Sequence, residues 1–370
     1  MSNTLNRREF ITRLLAFSAA GAALGLSSCA PKPAATSTPV PPTAAATAVP
    51  PTALPPTATL APPTATAVPA TATAIPPTAT AVPPTSTRIP ATPTPAPAAA
   101  VYLAVARGAK ADPQELTRRA LAAIGGIERF VKKGAEVIVK PNICNAYHGP
   151  EYASTTNPDV VAALVKLCLA AGAKRVRVMD FPFGGTPQAS YETSGIAAAV
   201  KAAGGEMEVL NRMKWRDVDM PQGKALKKWA VYGDILDADL VINAPIAKDH
   251  GSATLTLGMK NLMGIVSDRN GMHSRGLHQS IADLNSAVKP QLTVVDAIRI
   301  LVNNGPTGGS LDDVKRMDTV IASADVVAAD AYATTLFGMK PADIGYIKYG
   351  VEMGLGKMDL KAMKVEEIAV

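Results

Sequence analysis

The chain has 370 residues with 37 Lys plus Arg against 30 Asp plus Glu, yet residues 101–370 alone carry a net charge of only +3, because the excess of arginine sits at the start. That balance is no nucleic-acid footprint, and no nucleic-acid partner is expected. Three cysteines cannot furnish a disulfide framework or a four-cysteine site, so no iron–sulfur cluster is expected within this chain.

At the start, Asn6-Arg7-Arg8-Glu9-Phe10-Ile11 sets a twin arginine ahead of an apolar run over residues 14–26, which is shorter than the roughly 20 residues a spanning helix needs. The run ends in Leu26-Ser27-Ser28-Cys29, which resembles the lipobox of bacterial lipoproteins, where the cysteine is lipidated. Residues 1–29 are therefore read as a twin-arginine signal peptide that engages the twin-arginine export machinery. Cys29 would then anchor the protein to a bacterial membrane on its extracytoplasmic side. Residues 30–100 are almost wholly Ala, Thr, Pro and Val and hold 20 of the 31 prolines, so they cannot form a core. Polyproline II segments at about 3.1 Å per residue give this tether a reach of at most roughly 200 Å.

From residue 101 onward, Val- and Ile-rich runs alternate with amphipathic stretches, the pattern of parallel strands covered by helices. A first strand is expected over 101–106, a helix over 113–124 capped by Asp112, and a strand over 135–139. Asn157 then reads as an N-cap with Pro158 as the first helical residue, and Val160, Val161, Leu164, Val165, Cys168 and Leu169 make one apolar face that stops at Gly172. Strands follow over 175–180, 206–210, 239–244, 292–296 and 319–322, with helices over 190–203, 281–288, 326–337 and 344–353. Periodicity is poor between 212 and 232, the place for a subdomain. The fold class is α/β, a doubly wound, mostly parallel sheet with helices on both faces, in one domain over 101–370.

In such sheets ligands sit beyond the carboxyl ends of the strands, and the residues there are unusually polar. After the second strand come Lys140-Pro141-Asn142 and Cys144. After the third comes Asp180. After residues 239–244 come Lys248-Asp249-His250, then Lys260-Asn261-Leu262-Met263-Gly264, Asp268-Arg269, and His273 to His278 with Arg275 between; Asp296 follows the next strand, then Gly305-Pro306. Lys140-Pro141-Asn142, Thr156-Asn157-Pro158, the stretch from Asp239 to His250, Lys260 to Gly264, His278 and Asp296 with Gly305-Pro306 resemble the successive motifs of the domain of unknown function 362 family (DUF362). Members are sometimes joined to ferredoxin-like iron–sulfur modules, so the resemblance implies metal- or redox-linked work. This chain lacks that cysteine-rich module.

Lys140, Asn142, Lys248, His250, Lys260, Asn261, Arg275, His278 and Asp296 are accordingly the candidate ligand-binding residues. For a divalent metal the candidates are His250, His273, His278 and Asp180. The spacing from His273 to His278 matches no known zinc signature, and the convergence of lysines and arginines favours a small anionic ligand over a metal. Cys144 is a candidate ligand or thiol nucleophile, whereas Cys168 lies on a buried helical face. No G-x-S-x-G, G-x-G-x-x-G, G-x-x-x-x-G-K-[ST] or H-E-x-x-H occurs, which removes the anchor for hydrolase, dinucleotide, nucleotide-triphosphate and metalloprotease readings. Two classes stay open: a membrane-tethered extracytoplasmic enzyme, metal- or redox-linked and acting on a small anion, and a non-catalytic solute-binding or structural lipoprotein.

Overall fold

A computed structural model describes residues 102–370; the twin arginine, the lipidation candidate Cys29 and the tether lie outside the described residues. The chain begins β1 (Leu103–Arg107), α1 (Pro113–Ala123), β2 (Glu136–Pro141), α2 (Pro158–Ala170), β3 (Arg175–Val178), α3 (Pro187–Thr193), α4 (Ile196–Ala202) and β4 (Glu206–Met207). It continues through β5 (Trp215–Asp219), β6 (Lys228–Tyr232), α5 (Gly233–Asp237), β7 (Leu240–Ala244), β8 (Ile246–His250), β9 (Thr254–Thr256), α6 (Gly258–Asn261), α7 (Arg269–Ser274) and α8 (Leu277–Ala287). The last part holds β10 (Leu292–Leu301), β11 (Val314–Ser323), α9 (Val326–Thr335), α10 (Gly345–Glu352) and β12 (Val365–Ala369).

Ten strands form one sheet in the order β12-β1-β11-β10-β7-β2-β3-β4, with β8 and β9 continuing from β10. The pairings among β4, β3, β2, β7 and β10 are all parallel, and antiparallel partners enter through β11 and β9. Successive residues of a strand face opposite sides, and here both sides are covered. Val137 and Val139 pack with Leu116, Leu121, Val161 and Leu164 of α1 and α2, whereas Ile138 faces the layer that contains Ile281 of α8, Val327 of α9 and Ile347 of α10. The doubly wound α/β reading therefore holds. So does the capped helix: the Asn157 side chain accepts from the Asp159 amide at 2.8 Å, with Pro158 at the first helical position.

Three details differ from the sequence reading. The helix expected over 190–203 is two, α3 and α4, because Gly195 takes a left-handed conformation (φ +73°) between them. β10 and β11 are each ten residues long, since they run on past the sheet body as an antiparallel ribbon in which Leu301 faces Val314. Strands β8, β9 and β12 had no apolar alternation strong enough to announce them; β12, Val365-Glu366-Glu367-Ile368-Ala369, is an edge strand paired in parallel only with β1. The stretch 212–232 contains the separate two-stranded antiparallel hairpin β5–β6, whose loop is tied down by the Asp283 carboxylate accepting from the Ala225 and Leu226 amides. Among the described residues no helix is long and apolar enough to cross a membrane.

Candidate functional site

Parallel strands deliver their following loops to one edge of the sheet, and at that edge lies a cavity of about 310 Å³. Its polar lining comes from three places: Asn142 and Cys144 after β2, Asp180 after β3, and Lys248, His250, Thr256, Lys260 and Asn261 from β8 through α6. Arg269, Asn270 and His273 of α7 close one side, with Phe181, Phe183 and Met263 as apolar wall.

Asn261 is the hub. Its amide nitrogen donates to the Lys140 carbonyl (3.1 Å) and to Asn243 Oδ1 (2.8 Å), and its Oδ1 accepts from Lys140 Nζ (2.9 Å) and Asn142 Nδ2 (3.0 Å). Lys140 and Asn243 are register partners on β2 and β7, so one side chain reads the ends of both strands and uses all of its donors. The single turn α6 that carries Lys260 and Asn261 is itself held at its start, where the Gly258 and Met259 amides donate to the buried Asp330 carboxylate at 2.6 and 2.8 Å. Asn243 Nδ2 also donates to the Gly258 carbonyl.

Lys140 is fully buried and paired with Asp180 at 2.7 Å. Burial pulls the ammonium down from its ordinary value, and the Asp180 charge opposes that pull. Asp180 is also fixed by the Ile143 amide, which donates to Oδ2 at 2.6 Å. The pair needs Gly264 beside it: a Cβ there would lie 1.9 Å from Asp180 Oδ1 and 2.5 Å from Lys140 Nζ.

Lys248, also buried, has no carboxylate partner among the described residues. Its ammonium donates to Ser154 O (2.5 Å), Pro306 O (2.9 Å) and Asn142 Oδ1 (3.0 Å), so all three protons are spent on neutral oxygens from three loops. Arg269 bonds the Phe181 and Pro182 carbonyls and lies 4.8 Å over the Phe181 ring, again without an acid in an ion pair. Lys260 goes further. It is only 9 % exposed, and among the described residues its Nζ makes neither hydrogen bond nor ion pair. Burial first, then the charge of Lys248, brings it to about 7. Thr256, at the end of β9, lines the same cavity, and among the described residues its buried hydroxyl has no hydrogen-bond partner.

The two cavity histidines are neutral at neutral pH. Burial, followed by Lys260 and Lys248, lowers His250 to about 3, and burial followed by Lys260 also lowers His273. The Ser252 and Ala253 amides both donate to His250 Nδ1, at 3.2 and 3.3 Å, which leaves the ring proton on Nε2. The rings of His250 and His273 stack at 6.2 Å between centroids. Among the described residues no three His, Cys, Asp or Glu side chains are grouped to hold a metal ion.

Of the residues singled out from sequence, Asn142, Lys248, His250, Lys260 and Asn261 line the cavity together, and Lys140 touches Asp180 and Asn261 in its wall. Three lie elsewhere. His278, the second residue of α8, stacks on Tyr346 at 5.8 Å and accepts the Tyr346 amide on Nδ1, because its helix face turns toward α10. Arg275 lies over Trp229 of the hairpin, 5.1 Å from the ring centroid, and donates to the Gly271 carbonyl. Asp296 is buried and consumed by the Asn157 and Ile298 amides, at 2.7 and 2.9 Å; burial raises it to about 6 despite those donors. It therefore braces the start of α2 and neutralises none of the cavity cations. Of the four metal candidates, Asp180 is committed to Lys140 and His278 faces away, which leaves the stacked pair His250 and His273. Arg269, which the sequence places among the converging cations but outside the candidate ligand-binding set, is part of the lining, as are Phe181 and Phe183, whose only signal in the sequence is their position just after β3.

A family model described as a domain of unknown function, DUF362, matches residues 137–335. A thylakoid-associated protein of Synechocystis is 30% identical over 249 residues, which is 64% of this chain and 74% of that protein. Among solved structures, a Thermotoga maritima protein superposes with a TM-score of 0.40 at 13% identity, over 62% of this chain and 60% of its own. The lactate racemase apoprotein of Thermoanaerobacterium thermosaccharolyticum gives a TM-score of 0.36 at 16% identity, over 59% of this chain and 53% of its own. The chain thus spans less than two thirds of either structure.

Proposed function

The chain belongs to the DUF362 family, and on that footing we propose that its sheet-edge cavity binds a small anion, in a domain held at a membrane by a lipidated Cys29 and the 30–100 tether. One observation carries the first half: Lys248, Lys260 and Arg269 surround a single cavity, and the one carboxylate that lines it among the described residues, Asp180, is already paired with Lys140. Buried cations without counter-charge are costly, and the low dielectric that makes them costly also strengthens their pull on an anion. A volume of about 310 Å³ suits a metabolite of a few carbons rather than a nucleotide or peptide. Lys248 can attract such an anion without moving, because its own protons are committed, whereas Arg269 and Lys260 keep free donors for it.

Calorimetric titration of the full chain with inorganic phosphate, pyruvate and citrate tests this reading. At least one should bind, and Arg269→Met should weaken it by about 2 kcal/mol, the worth of one lost charge-assisted hydrogen bond. No heat with any of the three, or unchanged affinity in that variant, refutes it.

Three observations support the membrane half: the twin arginine, the Leu26-Ser27-Ser28-Cys29 sequence, and a relative named as thylakoid-associated. Cys29→Ala should abolish fatty-acid labelling and release the protein from membranes. Persistent label or membrane attachment in that variant rejects a Cys29 anchor.

A further inference from the structure

Within that anion site Lys260 stands apart from its neighbours. Lys140 is paired, Lys248 is spent on three oxygens, and Arg269 is braced on two carbonyls, yet the Lys260 side chain, buried along its stem, brings to an open cavity an amine that has no hydrogen-bond or ion-pair partner among the described residues. If the site needed only positive charge, a lysine locked like Lys248 would serve. A free amine among fixed cations is instead the arrangement that generates an amine nucleophile, since each neighbouring charge disfavours the ammonium. We propose that Lys260 forms an imine with the carbonyl carbon of a small oxo acid, whose carboxylate is held by the cations around it.

The inference rests on the anion reading and adds the substrate class and the covalent step. The neutral amine attacks the carbonyl carbon, the carbonyl π pair moves to oxygen, and the nitrogen passes a proton to that oxygen. The nitrogen lone pair then expels the hydroxyl as water with one further proton, which leaves a carbon–nitrogen double bond and one water released; no oxidant or reductant takes part. Burial and the neighbouring cations bring Lys260 down to about 7, so the required neutral amine is accessible at neutral pH. The proton for the departing hydroxyl comes from solvent that enters the open cavity, because neutral His250 would have to become an imidazolate to supply it.

The test incubates the full chain with pyruvate and sodium cyanoborohydride and measures intact and peptide masses. The expected product is one adduct per chain, heavier by one pyruvic acid less one oxygen atom, mapped to Lys260 and formed at least about tenfold faster than on any other lysine. Phosphate should slow it, acetone should not reproduce it, and Lys260→Arg should lack it while melting as the parent does. Should Lys260→Arg fail to fold, phosphate protection and the acetone comparison on the parent chain still decide. Adducts spread evenly over the lysines, or Lys260 labelled equally by acetone, overturn the inference. Calorimetric phosphate binding with no pyruvate adduct on Lys260 overturns the imine and leaves the anion reading standing, whereas a selective adduct with no anion binding and no phosphate protection sinks the carboxylate-holding role as well.

Discussion

Replacing Lys260 with Met removes an amine on a mostly buried side chain, held among other cations and without a protein acceptor for its protons among the described residues. Lys260 falls from its ordinary 10.5 to about 7 in the folded chain. Below pH 7 both folded and unfolded states carry the proton and the folded state bears the whole penalty, about 5 kcal/mol at about 1.4 kcal/mol per pH unit. Between 7 and 10.5 the unfolded chain binds more protons than the folded one, so the stability of the parent rises with pH over that window and the penalty fades toward 10.5. Methionine is unbranched, apolar and of similar length, so it can occupy the lysine's path at little packing cost. Urea unfolding of parent and Lys260→Met, followed by fluorescence at several pH values between about 6 and 9.5, should therefore show the variant more stable by several kcal/mol at low pH, with the gap closing by about 1.4 kcal/mol per unit above 7. Saturating phosphate should narrow the gap as well, because an anion beside Lys260 repays its protonation. Stability curves that stay parallel from pH 6 to 9.5, or a variant less stable than the parent throughout, would refute the reasoning that Lys260 is buried without compensation.

The remaining predictions probe what supports Lys260. Gly264→Ala should cost about 3 kcal/mol or more in denaturant unfolding, since its Cβ would stand 1.9 Å from Asp180 Oδ1; a neutral effect would mean that the Lys140–Asp180 pair can shift freely. Asp180→Asn should cost about 3–5 kcal/mol by stranding the Lys140 charge, and adding Lys140→Met should restore most of it; equal loss in single and double variants would show that packing rather than charge was at stake. Arg275→Ala and His278→Ala should leave anion affinity unchanged in calorimetry, because both lie outside the cavity against Trp229 and Tyr346, and a clear loss in either would reopen the boundary of the site.

Much of this protein is legible before folding is considered. The Asn157-Pro158 start of α2 depends on a bond across two residues, and the buried parallel strands on runs of Val and Ile, so both are written locally. The rule that loops gather at the carboxyl ends of parallel strands was enough to bring Asn142, Lys248, His250, Lys260 and Asn261 to one place from sequence positions more than a hundred residues apart. Direction within that edge was not legible. Whether His278 faces the cavity or α10 depends on the rotation of α8 against its neighbours, and that rotation is set by Leu277, Ile281 and Leu284 seeking the core rather than by the histidine. Which cation receives the lone acid was also decided in three dimensions: Asp180 reaches Lys140 because β2 and β3 lie side by side in parallel register, and Gly264 leaves room there. Asp296, equally acidic in sequence, is spent on the Asn157 amide instead. Strand order, register and helix rotation are global outcomes of burying apolar surface, and charged side chains are carried to wherever those choices place them; that is why the sequence determined which residues gather at this edge, and only the tertiary structure decided that Lys260 would be the amine left without a partner.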